Sequence, residues 1–229
     1  MSMLISLLTP TVLALDHISH MKKPQQGFTL IELLVVIGII SLLAVALLPQ
    51  VIEGKTAANM AADQANLRWH YATFMNYKNK MTHYPKGGGH EFILRPWVEG
   101  MVEHTEQNFD RYFSPQEDGD ERKEELKADV ESIWKSVDDL TSEDTHYAGR
   151  AAEHKRRMFS GKEIWMATDN EFGGTYPDGT IIVLMGDGAT KKLLRAKQLK
   201  EFYPEDIDEE FVFEVGPNSP HKGLAKLEK

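Results

Sequence analysis

Between Phe28 and Leu48 the chain reads FTLIELLVVIGIISLLAVALL, 21 residues with a single charge, Glu32. A hydrocarbon core of about 30 Å needs about 20 helical residues at a rise of about 1.5 Å each. A chain of mean hydropathy −0.39 therefore carries one stretch, residues 28–48, able to span a bilayer as a helix. Lys22 and Lys23 precede it, and the next basic residue is Lys55. The basic side of such a segment tends to stay cytoplasmic, which places the C-terminal part across the membrane. A secretory signal peptide would have a core of about 7–15 residues and a small-residue cleavage site. This run is longer and ends in Leu47-Leu48-Pro49-Gln50. A plain uncleaved anchor is the other competing reading.

Glu32 separates these readings. A carboxylate near the middle of a spanning helix costs about 2.5–3.5 kcal/mol, and such acids usually have a function. A position near the cytoplasmic end lowers that cost without removing it. No Lys or Arg lies in the run to pair with it. A cut after Gly27 would free an α-amine at Phe28, one helical turn away, and a neighbouring chain could supply the amine instead.

Gly27-Phe28-Thr29-Leu30-Ile31-Glu32-Leu33-Leu34-Val35-Val36-Ile37, preceded by Lys22-Lys23, resembles the N-terminal signature of type IV pilins and type II secretion pseudopilins. The resemblance covers about 30 residues. It implies cleavage by a prepilin peptidase between Gly27 and Phe28, N-methylation of Phe28, and pairing of Glu32 with another subunit's N terminus. It implies a helix kink at Pro49 and a single-pass protein of the bacterial inner membrane, its head in the periplasm or outside, incorporated into a fibre. The implied partners are the peptidase, other subunits, an inner-membrane assembly platform and the membrane. The fold to expect is α+β and pilin-like: a long N-terminal helix, its first half membrane-spanning, packed on a small antiparallel sheet with an extra helical insert. The divisions are a leader at 1–27, the long helix at 28–83 and an exported head at 84–229.

One departure is the leader. Twenty residues precede Met21, and Met3–Leu15 is apolar but too short to span and contains Pro10. Translation is expected to start at Met21, with a genuine long leader as the alternative.

Charge and composition narrow the function. The net charge is −9 from 26 basic and 35 acidic residues. Removing 1–27, with Lys22, Lys23 and Asp16, leaves −10. A broad phosphate-binding surface leans on clustered Lys and Arg, so no nucleic acid is expected. The chain has no cysteine, which excludes disulfides, zinc–thiolate sites and a cysteine nucleophile. Many pilins close a C-terminal loop with a cysteine pair, so its lack tilts the resemblance toward a pseudopilin.

Beyond the run, Met60, Leu67, Tyr71, Phe74 and Met81 repeat at helical spacing, and Tyr84 to Gly89 ends the pattern. Gly87-Gly88-Gly89 lacks the Lys-Ser/Thr of a phosphate loop and reads as a turn. Phe92 to Val102 suggests a short element interrupted by Pro96. Asp118-Gly119-Asp120 opens a second helix with a stripe of Leu126, Val130, Ile133, Trp134, Val137 and Leu140. Its acids from Glu117 to Glu125 suit a solvated helix start, and the calcium-loop spacing is absent. Arg150 to Met158, with Lys155-Arg156-Arg157, suggests a third helical piece. Strands are expected at 163–168, 180–185, 191–196 and 210–215, with a polar, frayed tail from Pro217 to Lys229.

His83, His90, His104, His146, His154 and His221 show no ligand spacing, and no metal or cofactor is expected. Neither a Gly-x-Ser-x-Gly elbow nor a persuasive acid pair is present, so no catalytic residue is assigned. The expected function is a non-enzymatic structural subunit of a type II secretion pseudopilus or type IV pilus-like fibre. The rival from another class is a membrane-tethered periplasmic binding module or enzyme borrowing a pilin-like export signal.

Overall fold

The computed structural model describes residues 28–117, 119–157, 161–168, 175–193, 215–219 and 221–229. The chain divides into two compact units, one up to Leu48 and one from Pro49 to Lys229. Helix α1, Leu30–Met81, is 52 residues long and contains Pro49. In the first unit every described residue from Phe28 to Leu48 is exposed. In the second unit α1 becomes one-sided. Met60, Asp63, Leu67, His70, Phe74 and Tyr77 are buried, at steps of three, four and three again. Met60, Leu67 and Phe74 from the expected stripe are in the core, and Tyr71 and Met81 are half-buried at its margin.

The chain then makes α2 (Gly89–Val98), the short α3 (Glu106–Phe109) and α4 (Glu121–Lys127). Five short strands follow: β1 (Ala148–Arg150), β2 (Ile164–Ala167), β3 (Ile181–Met185), β4 (Thr190–Leu193) and β5 (Leu227–Glu228). They pair antiparallel in the order β4-β3-β2-β1-β5. Fold class α+β holds, with the long helix packed with a small antiparallel sheet.

The sheet has two apolar faces. On β3, Ile182 and Leu184 join the cluster shared with α1, α2 and the insert, and Ile181, Val183 and Met185 join a second cluster on the other face. Alternation fails on β2, where Trp165 and Met166 both turn to the first cluster. A register shift between Ile164 and Met166 accounts for this, because one extra residue reverses the facing of the residues after it.

The second helix is a correction. Only Glu121–Lys127 is α-helical, capped by Asp120, whose carboxylate accepts from the Lys123 N–H at 2.9 Å. Residues Val137–Asp139 and Ser142–Asp144 form single 3-10 turns, each with a capping box. Trp134 has φ +48°. Short polar side chains bond the nearby backbone and compete with helix continuation, so the apolar spacing persists without the helix. Leu126, Trp134 and Leu140 are nevertheless buried.

The expected third helical piece is present as a 3-10 segment, Ala152–Arg157, starting after Arg150 ends β1. One further expectation changes. The tail is packed, with Leu224 and Leu227 fully buried and β5 on the sheet edge. Most of the expected strand at 210–215 lies outside the described residues, as does the end of 191–196.

The glycine run is a close-packing device. Gly89 has φ +50°, and a Cβ there would sit 1.8 Å from the main-chain oxygen of Lys229. Gly89→Ala combines left-handed strain with a backbone clash. It is expected to cost about 2–4 kcal/mol, read as a lowered melting temperature of the full chain in detergent.

Candidate functional site

The first locus is the start of α1. The Thr29 N–H donates to Glu32 Oε2 at 2.8 Å, and the Thr29 hydroxyl donates to the same oxygen at 2.7 Å. The Glu32 N–H donates back to Thr29 Oγ1 at 3.3 Å. This is a reciprocal capping arrangement across the first turn, and the acid also lies at the positive end of the helix. Ser41 donates to the Ile37 carbonyl at 2.8 Å. Thr29, Glu32 and Ser41 therefore find hydrogen-bond partners inside the helix, which hydrocarbon surroundings demand. Phe28 is 84% exposed. Gly27, Lys22 and Lys23 lie outside the described residues. Among the described residues α1 is the helix long and apolar enough to cross a membrane.

The second locus is a buried polar hub in the head. Asp63, on α1, has no exposed surface. Its carboxylate accepts from the Tyr147 hydroxyl at 2.6 Å, from the Ser114 hydroxyl at 2.8 Å, and from the Tyr176 hydroxyl. Burial pushes Asp63 above the usual carboxylate range, and the Tyr147, Tyr176 and Ser114 bonds partly offset it. Burial and the adjacent acid push both tyrosines up, so their hydroxyls stay protonated and donate. Asn66 donates to the Tyr147 oxygen at 3.2 Å. Four separated stretches of chain thus meet on one carboxylate.

Nearly buried His146 extends the hub. Its Nδ1 accepts the Ser114 N–H at 3.1 Å, and its Nε2 bonds to Asp120. Burial raises Asp120, but the His146 bond and the N–H groups of Lys123 and Arg122 bring it below its ordinary value. Ser, His and Asp are gathered, but not for nucleophilic chemistry. The Ser114 hydroxyl is buried and committed to Asp63, and its main-chain nitrogen occupies the imidazole.

Residues 22–48 match the family described as the prokaryotic N-terminal methylation motif. The chain carries the type IV pilin and pseudopilin signature. No curated protein and no solved structure matches the chain. With the exposed apolar helix, the motif fits a single-pass, membrane-anchored, pilin-like subunit.

In this pilin-like chain four other histidines among the described residues serve local structure. His104 stacks on Trp97 with ring centroids 4.5 Å apart, and His90 Nδ1 lies 3.0 Å from the Lys229 oxygen. His83 Nδ1 lies 2.8 Å from the Tyr84 oxygen. His70 is wholly buried among Trp69, Phe74, Tyr112 and Tyr147, and its Nε2 meets the Arg111 carbonyl at 3.0 Å. Burial pushes it down to about 3, so it is neutral at physiological pH. Among the described residues no three His, Cys, Asp or Glu side chains group as a metal site.

The sequence reading did not single out Asp63, Ser114, Tyr147 or Tyr176. One signal was available. Asp63 sits between Met60 and Leu67 at steps of three and four, so the helical stripe carries a carboxylate into the core.

Proposed function

We propose that the protein is a structural subunit of a pilus-like fibre, a pseudopilin of the type II secretion kind in preference to a type IV pilin. The observation that carries this reading is the methylation motif on an exposed apolar helix whose first turn holds an acid. Lys22 and Lys23 hold the start of the chain on the cytoplasmic side. A prepilin peptidase cuts between Gly27 and Phe28, and Phe28 is N-methylated, which leaves the new amine cationic. Glu32 meets such an amine on a neighbouring subunit within the assembly platform, and Pro49 supplies the helix kink. The lack of cysteine supports the pseudopilin choice.

In low dielectric such a pair roughly offsets the cost of burying its charges, so it sets register more than it adds stability. It also discriminates against uncut subunits, whose Phe28 nitrogen is a neutral amide. Cleavage thereby licenses assembly. Mass spectrometry of the protein from its native cells is expected to show a chain beginning at N-methyl-Phe28. A chain that retains the residues before Phe28, with that nitrogen unalkylated, sinks the reading.

A further inference from the structure

An open cavity of about 390 Å³ lies between α1 and α4. Its polar lining is Asn66 from α1, Gln107 from α3, Asp110 and Arg111 from the turn after it, and Lys123 and Lys127 from α4. Asp110 is the one acid in that lining, and both its oxygens are taken. The Lys127 ammonium reaches them at 3.1 and 3.2 Å, and that of Lys123 lies 3.6 Å away. Glu106 and Glu124 act on Lys127 through space, but both are exposed to water and stand outside the lining. The two lysines are therefore compensated.

Arg111 is not. Among the described residues Arg95, Arg122 and Arg150 pair with acids, and Arg68 bonds the Thr190 hydroxyl. Arg111 pairs with no acid, in a chain of 35 acidic and 26 basic residues. Its Nε is buried without a hydrogen-bond partner, although buried polar groups nearly always have one. The guanidinium lies over the Trp69 ring, 5.4 Å from its centroid, and the Arg111 carbonyl meets His70 Nε2 at 3.0 Å. The cation is held in place at the cavity wall and left unneutralised.

We propose that this cavity binds a small ligand through a doubly charged oxyanion group, a phosphomonoester or a dicarboxylate. The planar guanidinium fork matches two oxygens of such a group. Asp110 is half-exposed, so it can turn to water and release an ammonium to the second charge. The volume lies in the range of small-molecule sites, and Ala62, Phe113 and Pro115 offer apolar surface to an organic body. The cavity is open to water, so binding weakens with salt. The site stands in the head and is independent of the fibre reading, because an uncut N terminus leaves it intact.

Inorganic phosphate and succinate are titrated separately into the full-length chain in a non-ionic detergent, with calorimetry as the readout. At least one probe is expected to saturate below about 1 mM. Phosphate alone assigns a phosphomonoester, succinate alone a dicarboxylate, and both together a site that selects by charge. Arg111→Lys keeps the charge and loses the fork, and it is expected to bind at least tenfold more weakly. Arg68→Lys, the same change at an arginine outside the cavity, is expected to bind within twofold of wild type. Gln107→Glu places a carboxylate on the cavity wall from an exposed position, where folding does not depend on it, and is expected to weaken binding at least tenfold. The proposal is overturned if neither probe saturates by about 20 mM. It is equally overturned if Gln107→Glu binds as wild type does, or if folded Arg111→Lys does.

Discussion

Glu32→Ala is expected to insert into the membrane at normal levels and to lose at least tenfold in fibre incorporation. Insertion does not need the acid, because removing a carboxylate from the apolar run eases entry by up to about 2.5–3.5 kcal/mol. Assembly needs it as the partner of a cationic amine. The capping geometry adds a sharper variant. Glu32 accepts two bonds from Thr29 through one oxygen, and a glutamine oxygen accepts the same bonds. Glu32→Gln therefore keeps the helix start and removes only the charge. It is expected to fail in assembly as severely as Glu32→Ala, while Thr29→Val retains the charge and assembles better than either. Sheared-fibre yield against membrane-fraction level reads all three. If Glu32→Gln builds fibres at the wild-type level, charge pairing is not the device that licenses assembly.

The parts of the molecule that were legible in the sequence are those where one short-range signal dominates. The apolar run is set by composition, and α1 by propensity with a helical stripe that persists to Met81. Strand β3 is a continuous β-branched and apolar run, Ile181–Met185, and it is buried on both faces. The signal fails where pairing rather than local preference makes the element. Strand β1 is Ala-Gly-Arg, without a β-branched residue, and it exists because β2 and β5 flank it. Strand β5 is two residues in a polar tail, held by Leu224 and Leu227 packing under the sheet. The insert misleads in the other direction. Its apolar residues repeat at helical spacing, but Ser136, Asp139, Thr141 and Asp144 bond the backbone locally and cut the helix into turns. The hub was hidden for a different reason: its members lie up to 113 residues apart, and only the tertiary fold brings three hydroxyls to one carboxylate.

That convergence makes Asp63→Ala the most damaging single change expected in the head. It removes the shared acceptor of the Tyr147, Tyr176 and Ser114 hydroxyls, each buried. An unsatisfied buried donor costs about 1–3 kcal/mol. Relief of the buried charge offsets part of the sum, leaving about 3–5 kcal/mol. At about 2–4 °C per kcal/mol for a domain of this size, the melting temperature falls by about 6–20 °C. Asp63→Asn keeps one acceptor oxygen and discards the charge, so it is expected to cost less. The pH dependence follows from the sign. Asp63 is raised in the folded state, so its contribution is full below the unfolded value near 4 and declines as pH rises through the raised folded value. His70 acts oppositely. Lowered to about 3 by burial, it contributes fully above about 6.5, and that stability is lost as pH falls from there toward 3. Thermal melts of the full chain in detergent between pH 4 and 8 are expected to show Asp63→Asn losing least relative to wild type at the alkaline end. A deficit that grows toward pH 8 means the carboxylate is stabilised as an ion within the hub, and burial is not what governs it.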